Sequence, residues 1–583
     1  MYYNNIYFEN PLFSFIFSIF LSLILINLSL YPVITKKKKI NFFSEYQPLI
    51  IFFLLFSFIV FIFNILILFK LSFKINIYFI FFLLLISLCL FLFKISRNKK
   101  NFINFFSFKQ KKLIYFIFAI LFLISLLPIS DADSIAIHQL IANYIYLNGL
   151  DKINLLKDVE FLSLSNTEIL LILSPILKIE NLGALLNFLS FFLFSSIVYK
   201  KKNNFFYFLI SCPLIIYFIS TQKLQLFFGI LYLLLFILVN ENLIKKKLEI
   251  FVFILLIAFY ASAKISYILF SLPLFIYFLI IKKDNLILIF LYSLLIFIFV
   301  FCPIFLIKYI YFGNPLAPFF DSFFASGREL YDSYALSLRS SEGWLLANSY
   351  KPFLRPFVPT TISQLSSSFG LIFLLFLLNV DLHKRTKFFP ILLILLIIST
   401  GQILPRYYLE SFLIMSFYYS ENKFSFATNI IKNIQMIFVI GFSIIFLYVS
   451  YFNLIVLKDK KKFLEKFSMT FFNSQQYKNI NIKENILDLY EPRTSIFFDK
   501  KIFSTRYLYN QKLMKDNFKS EIIKYIDANN IKYIVVGNDL KPMLACLNLE
   551  KIAEISKKTA VRNFLVEKKN FKSYLYEIKN SSC

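Results

Sequence analysis

The segment "LLPISDADSIAIHQLIANYIYLNG" places two carboxylates and a histidine directly after an apolar run. Asp131, Asp133 and His138 fall within eight residues, and the whole chain contains 2 histidines. A positioned carboxylate can accept the proton of a hydroxyl group, and partial desolvation at a membrane surface makes it a stronger base. We therefore predict that Asp133 and Asp131 are catalytic and that His138 contributes to substrate binding.

The same residues also fit the start of a helix. Apolar residues recur at helical spacing in "SIAIHQLIANYIYL", which predicts an amphipathic helix lying along the membrane surface. Asp131, Ser134 and His138 share one face of that helix, at positions i, i+3 and i+7. A carboxylate before a helix can also cap its N-terminus, and Asp131 is better placed for this than Asp133. Capping alone is thus the structural alternative to catalysis.

Three further ionisable residues interrupt apolar sequence. Glu168 precedes an apolar stretch of about ten residues, which is too short to span a bilayer and predicts an interfacial or re-entrant helix. Lys223 lies in the tight turn "STQKLQ", and Lys264 lies among small residues in "ASAKIS". Small residues suit close helix packing, and a lysine held there can bind phosphate as a point charge. Helix capping by Glu168 and snorkelling of Lys264 are the alternatives.

Two later motifs complete the predicted binding residues. Arg406 follows Pro405 and precedes Glu410 by one helical turn, so an i,i+4 ion pair is the alternative to phosphate binding. Asn314 belongs to "YFGNPLAPFF", which is also a turn signal. Arginines and the single tryptophan follow in the next loop and suit sugar or phosphate binding, although their spacing is unspecific: Arg328, Arg339, Trp344 and Arg355.

The composition indicates the elements that must position these side chains. The chain has 583 residues, is 59% hydrophobic and has a mean hydropathy of +0.71, which excludes a soluble globular protein. Its apolar runs predict an all-α polytopic membrane protein with about 12–14 transmembrane helices. The net charge of +29 comes from basic residues clustered in short loops, so we predict no nucleic-acid partner. The 5 cysteines show no CxxC spacing that would indicate zinc.

The basic loops also predict sidedness and domains. The strongest cluster, between Lys94 and Lys112, would lie in the cytoplasm, which places the Asp131–Asp133 segment outside. We predict a transmembrane domain over residues 1–456, with outer loops 131–181 and 309–362. Residues 457–583 then form an extracytoplasmic α/β domain, with a helix in "SEIIKYIDANN" and strands in "IKYIVVGN", "NFLVEKK" and "SYLYEIK". Its sequence indicates scaffolding or acceptor binding rather than chemistry.

Taken together, these motifs resemble those of bacterial GT-C membrane glycosyltransferases, in the group related to protein mannosyltransferases and aminoarabinose transferases. Asp131, Asp133 and His138 match the family pattern D-x-D-x-x-x-Y-H, with Ile137 where the family usually has tyrosine. The remaining matches follow in the family's order over roughly residues 113–420, and they are Glu168 before an apolar run, Lys264 between two spans, "GNPLAPF" and Arg406–Tyr407.

The resemblance implies an integral membrane glycosyltransferase at the outer face of a bacterial cytoplasmic membrane. Its donor would be a sugar on a polyprenyl phosphate, and its acceptor a lipid, a glycan or a protein. In the family, a loop carboxylate activates the acceptor, basic residues hold the donor phosphate, and some members need a divalent metal ion. The alternatives are an O-antigen polymerase or ligase that relies on arginines of a large outer loop, a transporter or flippase, and a structural subunit.

Overall fold

The structure is a computed structural model of the full chain. It describes residues 6–7, 11–35, 45–73, 89, 111–131, 133–151, 159–199, 202–317, 323–324, 368–378, 385–399, 404–419, 426–457, 459–468, 471, 484–488, 502–504, 523, 526–537, 547–561 and 565–581. The predicted third span (75–93) and most of the predicted outer loop 309–362, with its arginines and tryptophan, lie outside this described part of the chain.

The described part is mostly helical, as the composition predicts. The helices of the first half are α1 (Pro11–Thr35), α2 (Gln47–Leu68), α3 (Lys111–Ser125), a π-helix (Ser134–Gln139), α4 (Leu140–Asn148), a 3₁₀ turn (Val159–Ser163), α5 (Asn166–Leu170), α6 (Leu173–Leu177), α7 (Leu182–Val198), α8 (Asn203–Ile210), α9 (Pro213–Ile219) and α10 (Gln225–Asn240).

The later helices complete the bundle. They are α11 (Lys247–Ala263), α12 (Tyr267–Ile281), a 3₁₀ turn (Lys283–Asn285), α13 (Leu286–Ile296), a π-helix (Phe297–Phe301), α14 (Cys302–Phe312), α15 (Leu371–Leu378), α16 (Arg385–Ser399), a 3₁₀ turn (Pro405–Tyr408), α17 (Leu409–Tyr419), α18 (Phe426–Leu457) and α19 (Lys460–Phe467).

Several of these helices are long and apolar enough to span a membrane. Within the described residues, 4 continuous helices meet this criterion, namely Leu12–Leu30, Gln47–Leu68, Lys283–Phe312 and Thr428–Val456. The pair Asn166–Leu177 and Leu182–Val198 meets it jointly but is bent by 110°. Shorter apolar helices of 10–17 residues add to this set, and α10 is an example. The chain is thus a mostly α-helical protein with membrane-spanning potential.

Two predicted spans differ in detail from the helices of the structure. The apolar run 204–220 is divided into α8 and α9, because Pro213 at the start of α9 cannot donate the backbone hydrogen bond that a continuous helix needs. The helix in the apolar run 113–130, which the sequence predicts as one span, ends at Ser125, and a turn followed by irregular residues leads to Asp131. Both differences reflect local backbone chemistry that an apolar run by itself does not reveal.

Helix α10 forms the centre of the bundle. Almost all of its side chains are buried, and it packs against α7, α11 and α17. The ring of Phe227 lies edge-on to those of Phe53 and Phe56, at centroid distances of 4.9 and 5.6 Å. Such edge-to-face pairs contribute ~0.5–1.5 kcal/mol beyond burial of the rings. A bundle packed this tightly can hold side chains at its end in fixed positions.

The C-terminal part contains one mixed sheet. Its strands are β1 (Asn485–Asp488), β2 (Ile502–Ser504), β3 (Ile531–Gly537), β4 (Leu547–Val561) and β5 (Leu565–Ser581), in the order β2-β1-β3-β5-β4. Strand β1 runs parallel to β2 and β3, whereas β5 is antiparallel to β3 and β4. The predicted strand at "IKYIVVGN" is confirmed. The two strands predicted in "NFLVEKK" and "SYLYEIK" are wrong as separate elements, because one long strand, β5, covers both.

Candidate active site

Asp131 caps the helical segment that follows it. Its Oδ2 accepts hydrogen bonds from the backbone N–H of Ser134 at 3.0 Å and from the Ser134 hydroxyl at 2.8 Å. The segment begins as a π-helix, not as the α-helix that its periodicity predicts, and it becomes α-helical from Leu140 onward. π-Helical turns are rare and are frequent at functional sites. The cap and the π-helical turn together orient the side chain of Asp133.

Asp133 is paired with a lysine from a distant part of the chain. The Nζ of Lys223 lies 2.9 Å from Asp133 Oδ2 and 3.6 Å from Asp131 Oδ2. The same ammonium donates to the hydroxyl of Tyr217 at 2.6 Å. The Lys223 side chain is 7% exposed, whereas that of Asp133 is 29% exposed. The carboxylate of Asp133 therefore remains partly accessible, whereas its partner Lys223 is buried.

The turn that carries Lys223 is fastened at several points. The backbone N–H of Gln222 donates to the Ser134 hydroxyl at 3.0 Å, which joins this turn directly to the π-helix. The Nδ2 of Asn187 donates to the carbonyl of Lys223 at 2.7 Å. Gly183 allows the close approach, because a Cβ atom there would lie 2.6 Å from the Gln222 carbonyl oxygen. The position of the ammonium is thus determined by backbone contacts as well as by its own charge.

Opposing influences act on the charge of Lys223. Burial lowers the pKa of the ammonium, whereas the carboxylates of Asp131 and Asp133 raise it. The attraction is the stronger effect in sum, so the pKa of Lys223 lies above its ordinary value even though Arg406 opposes it. Lys223 is therefore a permanent cation near neutral pH, and it favours the ionised forms of both carboxylates.

Arg406 and Lys264 approach the same aromatic ring. Arg406 Nη1 lies 3.9 Å from Asp133 Oδ2, and the guanidinium carbon lies 5.3 Å from the centroid of Tyr407. Lys264 Nζ lies 5.0 Å from the same centroid. Cations near an aromatic face are attracted by its quadrupole. One ring thus lies beside two cations, and one of them, Arg406, also lies close to Asp133. Glu410 accepts a hydrogen bond from Tyr260 at 2.9 Å.

His138 and Glu168 form a second pair beside the first. His138 Nδ1 donates to Glu168 Oε1 at 2.9 Å, and the Glu168 side chain is 5% exposed. Glu168 is in the first turn of α5, where Ser165 caps the helix and its hydroxyl contacts the same carboxylate. The short helix and the sharp bend before α7 agree with the predicted re-entrant segment. The π-helix and α5 are thereby joined through polar side chains.

Helix α5 is also attached to the segment that carries Lys264. The hydroxyl of Thr167 donates to the Ala263 carbonyl at 2.6 Å, and Asn166 donates to the Ser262 hydroxyl at 2.8 Å. These contacts agree with the close packing that the small neighbours of Lys264 predict. They connect the residue next to Lys264 with the helix of Glu168.

Asn314 serves the local turn in which it lies. Its Oδ1 accepts a hydrogen bond from the backbone N–H of Leu316 at 2.8 Å, and the residue is fully buried. The neighbouring Lys308 donates to the Ala317 carbonyl at 2.6 Å. This geometry matches the turn signal of "GNP". Its predicted role in substrate binding stays a prediction.

The described residues do not provide a complete set of metal ligands. No group of three or more His, Cys, Asp or Glu side chains comes together within them. The two carboxylates that could contribute, Asp131 and Asp133, instead share the ammonium of Lys223. A divalent cation there would have to compete with this buried lysine. We therefore derive no step through a metal ion.

Sequence reasoning missed two partners of the site. Tyr217, which binds Lys223, lies in an apolar run and resembles an ordinary core residue. The contact of Ser134 with Gln222 also has no signal in the sequence, because these residues lie far apart in the chain. The spacing of six residues between Tyr217 and Lys223 carries no recognisable pattern, because the chain reverses between α9 and α10.

Comparison of the chain with family models, with curated proteins and with solved structures gives no match.

Proposed function

We propose that this protein is a membrane glycosyltransferase that moves a sugar from a polyprenyl-phosphate donor to an acceptor hydroxyl at the outer face of a bacterial cytoplasmic membrane. The observation that supports it most strongly is the convergence of Lys223 and Arg406 on the partly exposed Asp133. The resemblance to GT-C enzymes supplies the donor class, and the positive-inside rule supplies the sidedness. The acceptor would be a lipid, a glycan or a protein.

The reaction assigns one role to each group. The acceptor oxygen attacks the anomeric carbon and forms the new glycosidic bond, while its proton passes to Asp133 as the general base. The bond between the anomeric carbon and the phosphate oxygen breaks, and the polyprenyl phosphate leaves with the electron pair. Attack from the opposite face inverts the configuration at the anomeric carbon. A positioned base contributes ~10²–10⁴-fold in rate.

The cations would divide between the base and the leaving group. Lys223 is buried below Asp133 and orients it, with Asp131 holding the π-helix that carries it. Arg406 and Lys264, which share the Tyr407 ring, would bind the donor phosphate and stabilise the charge that it gains. His138 and Glu168 would bind the sugar or the acceptor from the adjacent helix.

The test uses the full chain in nanodiscs with a panel of radiolabelled polyprenyl-phosphate hexoses and pentoses and a cell-envelope extract as acceptor. Wild-type protein should transfer label from one donor, and Asp133→Asn should lose transfer by ~10²-fold or more. The control is Asp284→Asn, an exposed aspartate in the turn after α12.

Two outcomes would overturn the assignment of roles. Loss of transfer in Asp131→Asn with normal transfer in Asp133→Asn would show that Asp131, not Asp133, is the general base. Full activity of both variants, with loss upon substitution of Arg328, Arg339 or Arg355, would replace the proposal by the polymerase or ligase alternative. Absence of transfer from every donor in the panel would count against the donor class.

A further inference from the structure

A cavity lies beside Leu126 and Pro128, which lead to Asp131, where membrane-spanning helices meet the start of the C-terminal part. Its volume is about 310 Å³, within the range of small-molecule sites. Leu12 of α1 and Ile455 of α18 line it and are 58% and 68% exposed, so the cavity opens on the outer surface of these two helices. Both helices are long and apolar enough to span a bilayer. The cavity mouth is therefore accessible to lipid.

The inner end of this mostly apolar cavity carries two opposite charges. Glu180 and Lys460 form an ion pair, with side chains 3% and 9% exposed. Burial lowers the pKa of Lys460 to about 7, and the carboxylate of Glu180 lies directly beside the ammonium. Lys460 starts α19, three residues after α18 ends at Leu457. The charges therefore lie at the depth where a spanning helix ends and lipid headgroups begin.

The ion pair is connected to the candidate active site. Glu180 Oε1 accepts a hydrogen bond from the backbone N–H of Ile129 at 3.2 Å, and its carbonyl accepts one from Gln139 at 2.7 Å. Ile129 also packs with Phe463 and Leu464 of α19 in one buried cluster. Glu180, which lines the cavity, thus accepts hydrogen bonds from residues on both sides of Asp131 and Asp133.

We propose that this cavity binds one bilayer phospholipid with a phosphoethanolamine headgroup. The apolar part takes an acyl chain, the headgroup phosphate pairs with Lys460, and the headgroup ammonium pairs with Glu180. A buried charge is tolerated only when it is paired. A phosphoethanolamine headgroup that inserts between Lys460 and Glu180 supplies each of them with an opposite charge. A purely anionic headgroup would pair with Lys460 but would be repelled by the carboxylate of Glu180. A choline headgroup offers Glu180 no N–H donor.

The test measures retained lipid and needs no glycosyl donor, so it is independent of the proposed function. The full chain is incorporated into nanodiscs of equal phosphatidylethanolamine and phosphatidylglycerol, with a trace of polyprenyl phosphate, released and analysed by native mass spectrometry. We expect one bound phosphatidylethanolamine per chain, enriched about tenfold over phosphatidylglycerol by its additional charge-assisted hydrogen bond. Equal retention of phosphatidylglycerol, or retention of polyprenyl phosphate instead, would overturn the proposal.

A matched pair of variants tests the location. Ile455→Trp obstructs the cavity mouth and should remove most of the bound lipid. Ile437→Trp lies on the same helix, is equally exposed at 68% and does not line the cavity, so it should retain the lipid. Equal retention by both variants would show that the lipid is bound elsewhere.

A double variant tests the headgroup contacts. Lys460→Met with Glu180→Gln removes both charges together, and the glutamine keeps an acceptor for the Ile129 N–H. The variant should still bind one lipid but lose its preference for ethanolamine, giving nearly equal amounts of both phospholipids. Unchanged preference would contradict the role of the ion pair. Helical circular dichroism of each variant must match that of the wild type before its lipid is counted.

Discussion

The ammonium of Lys223 lies 2.9 Å from the carboxylate of Asp133, although 90 residues separate them in the sequence. The lysine comes from a turn between two helices, and the aspartate precedes a π-helix at the end of an apolar run. The hydrogen bond from Gln222 to Ser134 fixes the two segments against each other. The pair with Lys223 thus positions Asp133, the proposed general base.

Removal of the Lys223 charge should destabilise the protein. Lys223→Met retains the length of the side chain but leaves Asp131 and Asp133 without this cation. A hydrogen bond to a charged group contributes ~1.5–3 kcal/mol, so the free energy of unfolding should fall by about 2 kcal/mol. Thermal unfolding in detergent measures the change. The control is Lys245→Met, because Lys245 is exposed, and an equal effect of both substitutions would contradict the importance of the pair.

Gly183 should tolerate no larger side chain. An alanine Cβ would lie 2.6 Å from the Gln222 carbonyl oxygen and 2.7 Å from its Cα, so the turn that carries Lys223 would have to move. Gly183→Ala should cost ~1–3 kcal/mol and should lower transfer activity as well. Gly441→Ala is the matched control, since a Cβ there meets nothing within 4 Å and alanine favours a helix. Equal unfolding temperatures for the two variants would refute the steric argument.

Lys264 should contribute to donor affinity. Lys264→Ala removes one of the two cations beside Tyr407 and should weaken binding of the identified polyprenyl-phosphate donor by ~2 kcal/mol or more. A titration of the purified protein with that donor measures the loss. Lys282→Ala, at the other end of α12, should leave affinity unchanged. Normal donor affinity in Lys264→Ala would return this residue to the class of snorkelling lysines.

Sidedness can be tested without any substrate. The positive-inside rule predicts that Lys99 lies in the cytoplasm and that Asp133 lies outside. Because α19 packs against Ile129 and Ile135, the start of the C-terminal part must lie at the same end of the bundle as Asp133. Single cysteines at positions 133 and 461, in a background without the native cysteines, should react with an impermeant reagent from outside, whereas one at position 99 should not. The opposite labelling pattern would remove the outer-face site.

Local sequence properties determined much of the fold by themselves. The apolar composition predicted a mostly helical chain with helices able to span a membrane, because the hydrocarbon thickness of a bilayer requires about 20 apolar residues per span. The same holds for Asp131, whose preference for capping depends on residues only three positions away. The strand at "IKYIVVGN" also followed from its own composition. In each case the interacting groups are close neighbours in the chain.

Tertiary structure alone decided which polar residues meet. Nothing in the sequence relates Lys223 to Asp133, or Arg406 and Lys264 to one tyrosine ring, because these contacts depend on how helices pack across the bundle. The π-helical start after Asp133 likewise depends on hydrogen bonds that composition does not specify. Glu180 and Lys460 lie 280 residues apart in the sequence, and only the packing of α19 against the bundle brings these two charges together.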